Sequence, residues 1–129
     1  VTPPTVVALG ELLLRLKSPH HERLMQSPTL EATFGGTEAN VLASLAEFGV
    51  STSYVTALPP NPLGDAAVGE LRRHHVATDH VIRAGDRIGI YYLEAGAGHR
   101  SSKVVYDRAG SAMATAARDA FDWRVILDG

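Results

Sequence analysis

Three places in this chain carry residue types and spacings suited to chemistry. The first is Gly35-Gly36, followed by Thr37-Glu38-Ala39-Asn40 and then by Val41, Leu42, Leu45 and Phe48 at helical spacing, with Gly49 placed to stop the helix. A glycine pair leading into a helix leaves backbone N–H groups bare at the helix start, where an oxygen-rich small molecule can approach closely. The same residues also make an ordinary turn capping a core helix. The second place is Tyr106 and Arg108, which strand alternation puts on one face with Val104, while Lys103, Val105 and Asp107 take the other. A guanidinium forks onto a carboxylate, and a phenol beside it donates or accepts. A solvated arginine on an exposed strand would show the same pattern. The third is Tyr91, which shares a face with Gly89 and Leu93, opposite Ile90 and Tyr92. One of the two tyrosines can look into a cleft while the other packs, and alternation does not say which.

Other candidates have simpler explanations. His20-His21 and His74-His75 are adjacent pairs whose rings point in different directions, so solvated histidines are expected and no metal site is. Gly96-Ala97-Gly98 lacks the Lys-Ser/Thr ending of a phosphate-binding loop and reads as a turn between strands. Ser101 and Ser102 lie in no nucleophile elbow, and Glu11, Asp65 and Asp107 have capping, turn or exposed-strand explanations.

The elements that must position these residues read as an α/β layer. Strands are expected at 6–9, 12–16, 30–34 and 53–58, with a loop over 19–28. A second helix runs from an Asp65 cap to about His75, with Val68 and Leu71 inward. Residues 82–94 and 103–108 then form an antiparallel hairpin or flap, and 123–129 read as a buried strand of an unfinished parallel sheet. That last strand suggests a piece of a larger protein. The 129 residues carry a formal charge of −2 with scattered basic side chains, so no nucleic-acid footprint is expected. There is no cysteine and no apolar run long enough to span a membrane, and Val1-Thr2-Pro3-Pro4 lacks signal-peptide character. A cytoplasmic protein is expected.

Taken in order, these motifs resemble the N-terminal half of sugar kinases of the ribokinase (PfkB-type) family, and within it 2-keto-3-deoxygluconate kinases. The resemblance rests on Gly10-Glu11, on Phe34 to Asn40, on Asn61-x-x-Gly64-Asp65, on Asp86-Arg87-Ile88-Gly89-Ile90-Tyr91 and on Tyr106-Asp107-Arg108-Ala109-Gly110-Ser111-Ala112. It implies an α/β sandwich, incomplete here, with a small β-sheet lid built from segments around 12–35 and 79–110, through which such proteins often form homo-oligomers. It implies that Gly36 and Asn40 lie at the sugar site and that Tyr91, Tyr106 and Arg108 contact a keto-acid substrate. It also implies ATP with Mg2+ as phosphoryl donor and phosphorylation of the sugar acid at its primary hydroxyl. The family's Gly-Ala-Gly-Asp motif, with its catalytic Asp, is expected beyond Gly129 along with the ATP site; Gly96-Ala97-Gly98 is followed by His99. No catalytic or cofactor-binding residue is therefore expected within the chain, which would be inactive alone. Alternatives are another kinase of the family acting on fructose or a pentose, or a non-catalytic sugar-binding or dimerisation fragment.

Overall fold

Short apolar strands alternating with amphipathic helices favour parallel pairing, because each helix carries the chain back over the sheet. The computed structural model, which describes residues 3–128, follows that rule in its first half. In chain order the elements are β1 (Val6–Leu9), β2 (Leu13–Lys17), β3 (Glu31–Gly35), α1 (Thr37–Glu47), β4 (Thr52–Leu58), α2 (Pro62–Arg73), β5 (Val81–Arg83), β6 (Ile90–Glu94), β7 (Lys103–Asp107), α3 (Ala112–Thr115) and α4 (Trp123–Asp128), with a 3-10 turn at Arg118–Ala120. Strands β1, β4 and β5 form a parallel sheet with β4 in the middle. Every residue of β4 is buried. Its Tyr54 and Leu58 enter a core with Leu42 of α1 and Val68 and Leu71 of α2, while Val55 and Ala57 meet Ala112, Phe121 and Ile126 on the opposite side. Each fully buried Leu or Val there contributes roughly 1.5–3 kcal/mol of apolar burial.

A second sheet has the order β3-β2-β6-β7, antiparallel at both outer pairs and parallel between β2 and β6. Period-two alternation gives it two unlike faces. Leu14, Leu16, Phe34 and Ile90 pack against the core shared with α1 and α2. The other face carries Arg15, Tyr91 and Tyr106 in register across β2, β6 and β7. One face of this sheet is thus anchored and the other is left to form a wall.

The structure departs from the sequence reading in four places. The expected strand at 123–129 is the helix α4; Gly129 lies outside the described residues. The Asp122 carboxylate accepts from the Val125 N–H and so caps that helix, and Trp123 turns back onto Phe121 with ring centroids 5.5 Å apart. The expected strand over 82–94 is divided: β5 joins β4 in the parallel sheet, and β6 belongs to the second sheet. The break falls at Gly85, whose φ of 81° and close approach to Ala112 suit glycine. Helix α2 is capped by Asn61, whose Oδ1 accepts from the Gly64 N–H, and Pro62 opens it, so Asp65 lies within its first turn. On α1, Leu42 and Ala39 are buried, but Val41 and Phe48 are exposed. Gly49, with φ 82°, ends that helix as expected.

Candidate functional site

The C-terminal end of β1 at Gly10, the start of α1 and the open face of the second sheet enclose a cleft of about 590 Å3. Gly36, Asn40, Tyr91, Tyr106 and Arg108 all line it. Residues spread over more than seventy positions are therefore brought to one cavity by three elements, and the cleft-facing tyrosine is Tyr91.

Each position has a local cause. Gly36 is the N-cap of α1 in extended geometry, with no side chain to cap the helix, so the first amides stay free of a side-chain partner. Its need for glycine is steric: a β-carbon there would stand 2.8 Å from the Glu11 carbonyl oxygen. Asn40 sits one turn into α1 with its backbone N–H bonded to the Gly36 carbonyl, and its exposed side chain lies on the cleft rim. Tyr91 and Tyr106 are paired across β6 and β7, with ring centroids 6.1 Å apart and planes inclined by 40°. Burial raises the Tyr91 phenol above its ordinary pKa, so it remains a neutral donor and acceptor. Arg108 lies just after β7, its guanidinium carbon 5.7 Å from the Tyr106 ring centroid.

Glu11 is the residue that the sequence reading left without a role. Its Oε1 accepts from Arg108 Nε at 2.7 Å and its Oε2 from the Ser111 hydroxyl. The Glu11 side chain is only 9% exposed, against 49% for Arg108, so the carboxylate is the fixed partner. Glu38, in the first turn of α1, also lines the cleft. Behind both carboxylates the fully buried Tyr54 phenol is pushed well above the ordinary tyrosine range, by burial first and then by Glu38 and Glu11. The position of Glu11, immediately after a strand-ending glycine, was the available signal; its partners are 97 and 100 residues away.

The remaining candidates do other work. His74 Nε2 lies 3.1 Å from Glu70 and His21 Nδ1 lies 3.0 Å from the Gly96 carbonyl. Among the described residues, no group of three or more His, Asp or Glu is arranged to hold a metal ion. Gly96-Ala97-Gly98 is a turn closed by an Ala97–Arg100 bridge, and Asp65 pairs with Arg83 at 2.6 Å. No helix among the described residues is long and apolar enough to cross a membrane.

A parallel α/β layer with a second sheet standing over a polar cleft, floored by glycines at a helix start, has the form of a small-molecule site. Residues 4–126 match the pfkB family carbohydrate kinase, and the chain belongs to that family. A 2-dehydro-3-deoxygalactonokinase from Haloferax volcanii is 36% identical over 125 residues, covering 95% of this chain and 39% of that protein. The solved structure of 2-dehydro-3-deoxygluconokinase from Thermotoga maritima superposes with a TM-score of 0.94 at 56% identity, over 97% of this chain and 38% of that one. At the level of fold alone, an uncharacterized sugar kinase from Pyrococcus horikoshii in complex with ATP matches with a TM-score of 0.82 at 22% identity, over 96% of this chain and 40% of that one. The fold is therefore the ribokinase-like α/β fold, and the chain spans about two fifths of the length of these relatives.

Proposed function

We propose that this chain supplies the sugar-binding part of a kinase that transfers the ATP γ-phosphoryl group to the primary hydroxyl of a 2-keto-3-deoxy sugar acid such as 2-keto-3-deoxygluconate, giving the 6-phosphate. The observation that carries the reading is Arg108 beside Tyr106 and Tyr91 on one wall of a cleft whose floor is the start of α1. A substrate carboxylate takes the guanidinium, the two phenols bond the keto and hydroxyl oxygens, and Asn40 bonds a further hydroxyl. Gly36 lets the α1 start lie flush against the Glu11 backbone, which keeps that floor open to the sugar. The names of the Haloferax and Thermotoga relatives share the 2-dehydro-3-deoxy acid, which supports the acid over a neutral sugar.

Phosphoryl transfer needs a proton acceptor near the hydroxyl, donors at the developing charge, and Mg2+ to neutralise the phosphates. Residues 1–129 contain no Gly-Ala-Gly-Asp segment, so on this reading the acceptor Asp and the ATP site belong to the part of such a kinase that this chain does not span. A calorimetric titration with 2-keto-3-deoxygluconate tests the binding half, and a coupled ATP assay tests the reaction. Residues 1–129 alone should give no turnover, and a polypeptide of the relatives' full length should give turnover dependent on the sugar acid. Fructose phosphorylated in preference to the acid would overturn the reading.

A second reading concerns assembly. β7 is an edge strand with Val104, Val105 and Tyr106 exposed, a surface suited to pairing with another copy through the second sheet as a lid. Light scattering should then give a dimer, and Val105→Lys should shift it to monomer. A dimer that binds no sugar acid would favour a non-catalytic module.

A further inference from the structure

We propose that Glu11 is a positioning residue for Arg108, fixing the guanidinium so that its two terminal nitrogens face the cleft as a ready fork for the substrate carboxylate. The inference rests on the proposed sugar-acid reading and deepens it. Three observations carry it. The Glu11 carboxylate takes only the Nε edge of Arg108, at 2.7 Å, and among the described residues the Arg108 guanidinium makes no other hydrogen bond. Its Nη1 and Nη2 donors therefore stay available, and an arginine has donors enough to hold one carboxylate at Nε and donate to another end-on. The Glu11 carboxylate is itself held, because its second oxygen accepts from Ser111 Oγ. Ser111 is fully buried, and its hydroxyl oxygen also accepts from the Ala114 N–H, so the hydroxyl proton has one direction to point. Finally, a β-carbon at Gly89 would stand 2.8 Å from Glu11 Oε2, so the backbone just before β6 also packs close to the carboxylate. A long, half-exposed arginine loses rotamer freedom when it binds a ligand; Glu11 takes that loss before the ligand arrives.

The arrangement also predicts selectivity. Glu11 and Glu38 would repel an acid from the cleft if Arg108 were not held between them and the ligand. Acid binding should thus depend on Glu11 through Arg108, and neutral-sugar binding should not.

The test is a double-mutant cycle in the protein, read by calorimetry with 2-keto-3-deoxygluconate and with fructose as the neutral ketose. Glu11→Gln keeps the shape and removes the charge. It should weaken acid binding about tenfold when Arg108 is present and cause no loss in the Arg108→Ala background, with fructose binding equal in both. Equal losses in both backgrounds would overturn the inference and make Glu11 a structural residue. A ligand-free readout separates this from the function itself. The Arg108 Nε–H resonance should be slow to exchange with water in the wild type and fast in Glu11→Gln; no difference would overturn the positioning role. If the wild type binds no sugar acid, the proposed function falls, and the exchange measurement still decides whether Glu11 holds the guanidinium. Should Glu11→Gln fail to fold, Ser111→Ala, which frees the carboxylate, should speed the same exchange, and unchanged exchange would again overturn the role.

Discussion

The Tyr91 hydroxyl stands 2.6 Å from the point a β-carbon on Gly35 would occupy, so the glycine before the α1 cap makes room for the phenol that faces the cleft. The two residues belong to β3 and β6, strands separated by β2, and the Tyr91 side chain reaches across β2 to the end of β3. Gly35→Ala should therefore push Tyr91 outward and destabilise the protein by about 0.5–1.5 kcal/mol, the cost of displacing the phenol from its rotamer, read from the urea midpoint. Tyr91→Phe in the same chain should restore most of that loss, because the ring carbons are 3.5 Å from the same point. No restoration would mean that another contact forbids the methyl group.

Arg108→Ala should reduce affinity for a 2-keto-3-deoxy sugar acid far more than for a neutral ketose. A charge-assisted bond is worth about 1.5–3 kcal/mol, and the lower end is expected because half of the Arg108 side chain faces water. Raising the salt concentration should narrow the difference between acid and neutral ligand. Equal losses for the two ligands, measured by calorimetry, would argue against a carboxylate at Arg108.

The chain has four tyrosines, and burial raises the pKa of both Tyr54 and Tyr91. A raised pKa means that the folded state holds the phenol proton more tightly than the unfolded chain does. The associated stability is complete below the unfolded value of about 10 and is lost as pH rises through the folded values. An ultraviolet titration should show two phenols ionising late, and Tyr91→Phe should remove one of them. Loss of an early-titrating phenol instead would place Tyr91 in water.

Two glycines of α2 should respond in opposite directions. A β-carbon at Gly64 would stand 1.9 Å from the Pro59 carbonyl oxygen, which as backbone cannot step aside, whereas Gly69 has open space around it. Gly64→Ala should cost about 3 kcal/mol or more, and Gly69→Ala should stabilise by about 1 kcal/mol through helix propensity. Asn61→Ala removes the cap of the same helix and should cost about 1 kcal/mol. Thermal melts of the three variants check the order.

The amphipathic spacing of 41–48 and the glycine at 49 were enough to place α1 and its end, because helix period and chain reversal at positive φ are local properties. They did not settle which flank is covered: Ala39 is small enough to let the helix start approach β4, and Phe48 is left 85% exposed. The apolar run at 123–127 reads equally well as strand or helix by period alone, and the Asp122 cap decided for the helix. Residues 82–94 have strand composition throughout, yet the turn at Gly85 sends its two ends to different sheets.

By itself the sequence determined the α/β order of elements, the helix start at Gly36 and the shared face of Tyr106 and Arg108, since each follows from backbone periods spanning a few residues. Only the tertiary structure decided that Tyr91 rather than Tyr92 enters the cleft, that Gly36 yields its space to the Glu11 carbonyl, and that Arg108 is held by Glu11. The physical reason is range. A hydrogen bond between residues 97 positions apart leaves no periodic trace in the chain, and its geometry exists only once two sheets have packed on a common core.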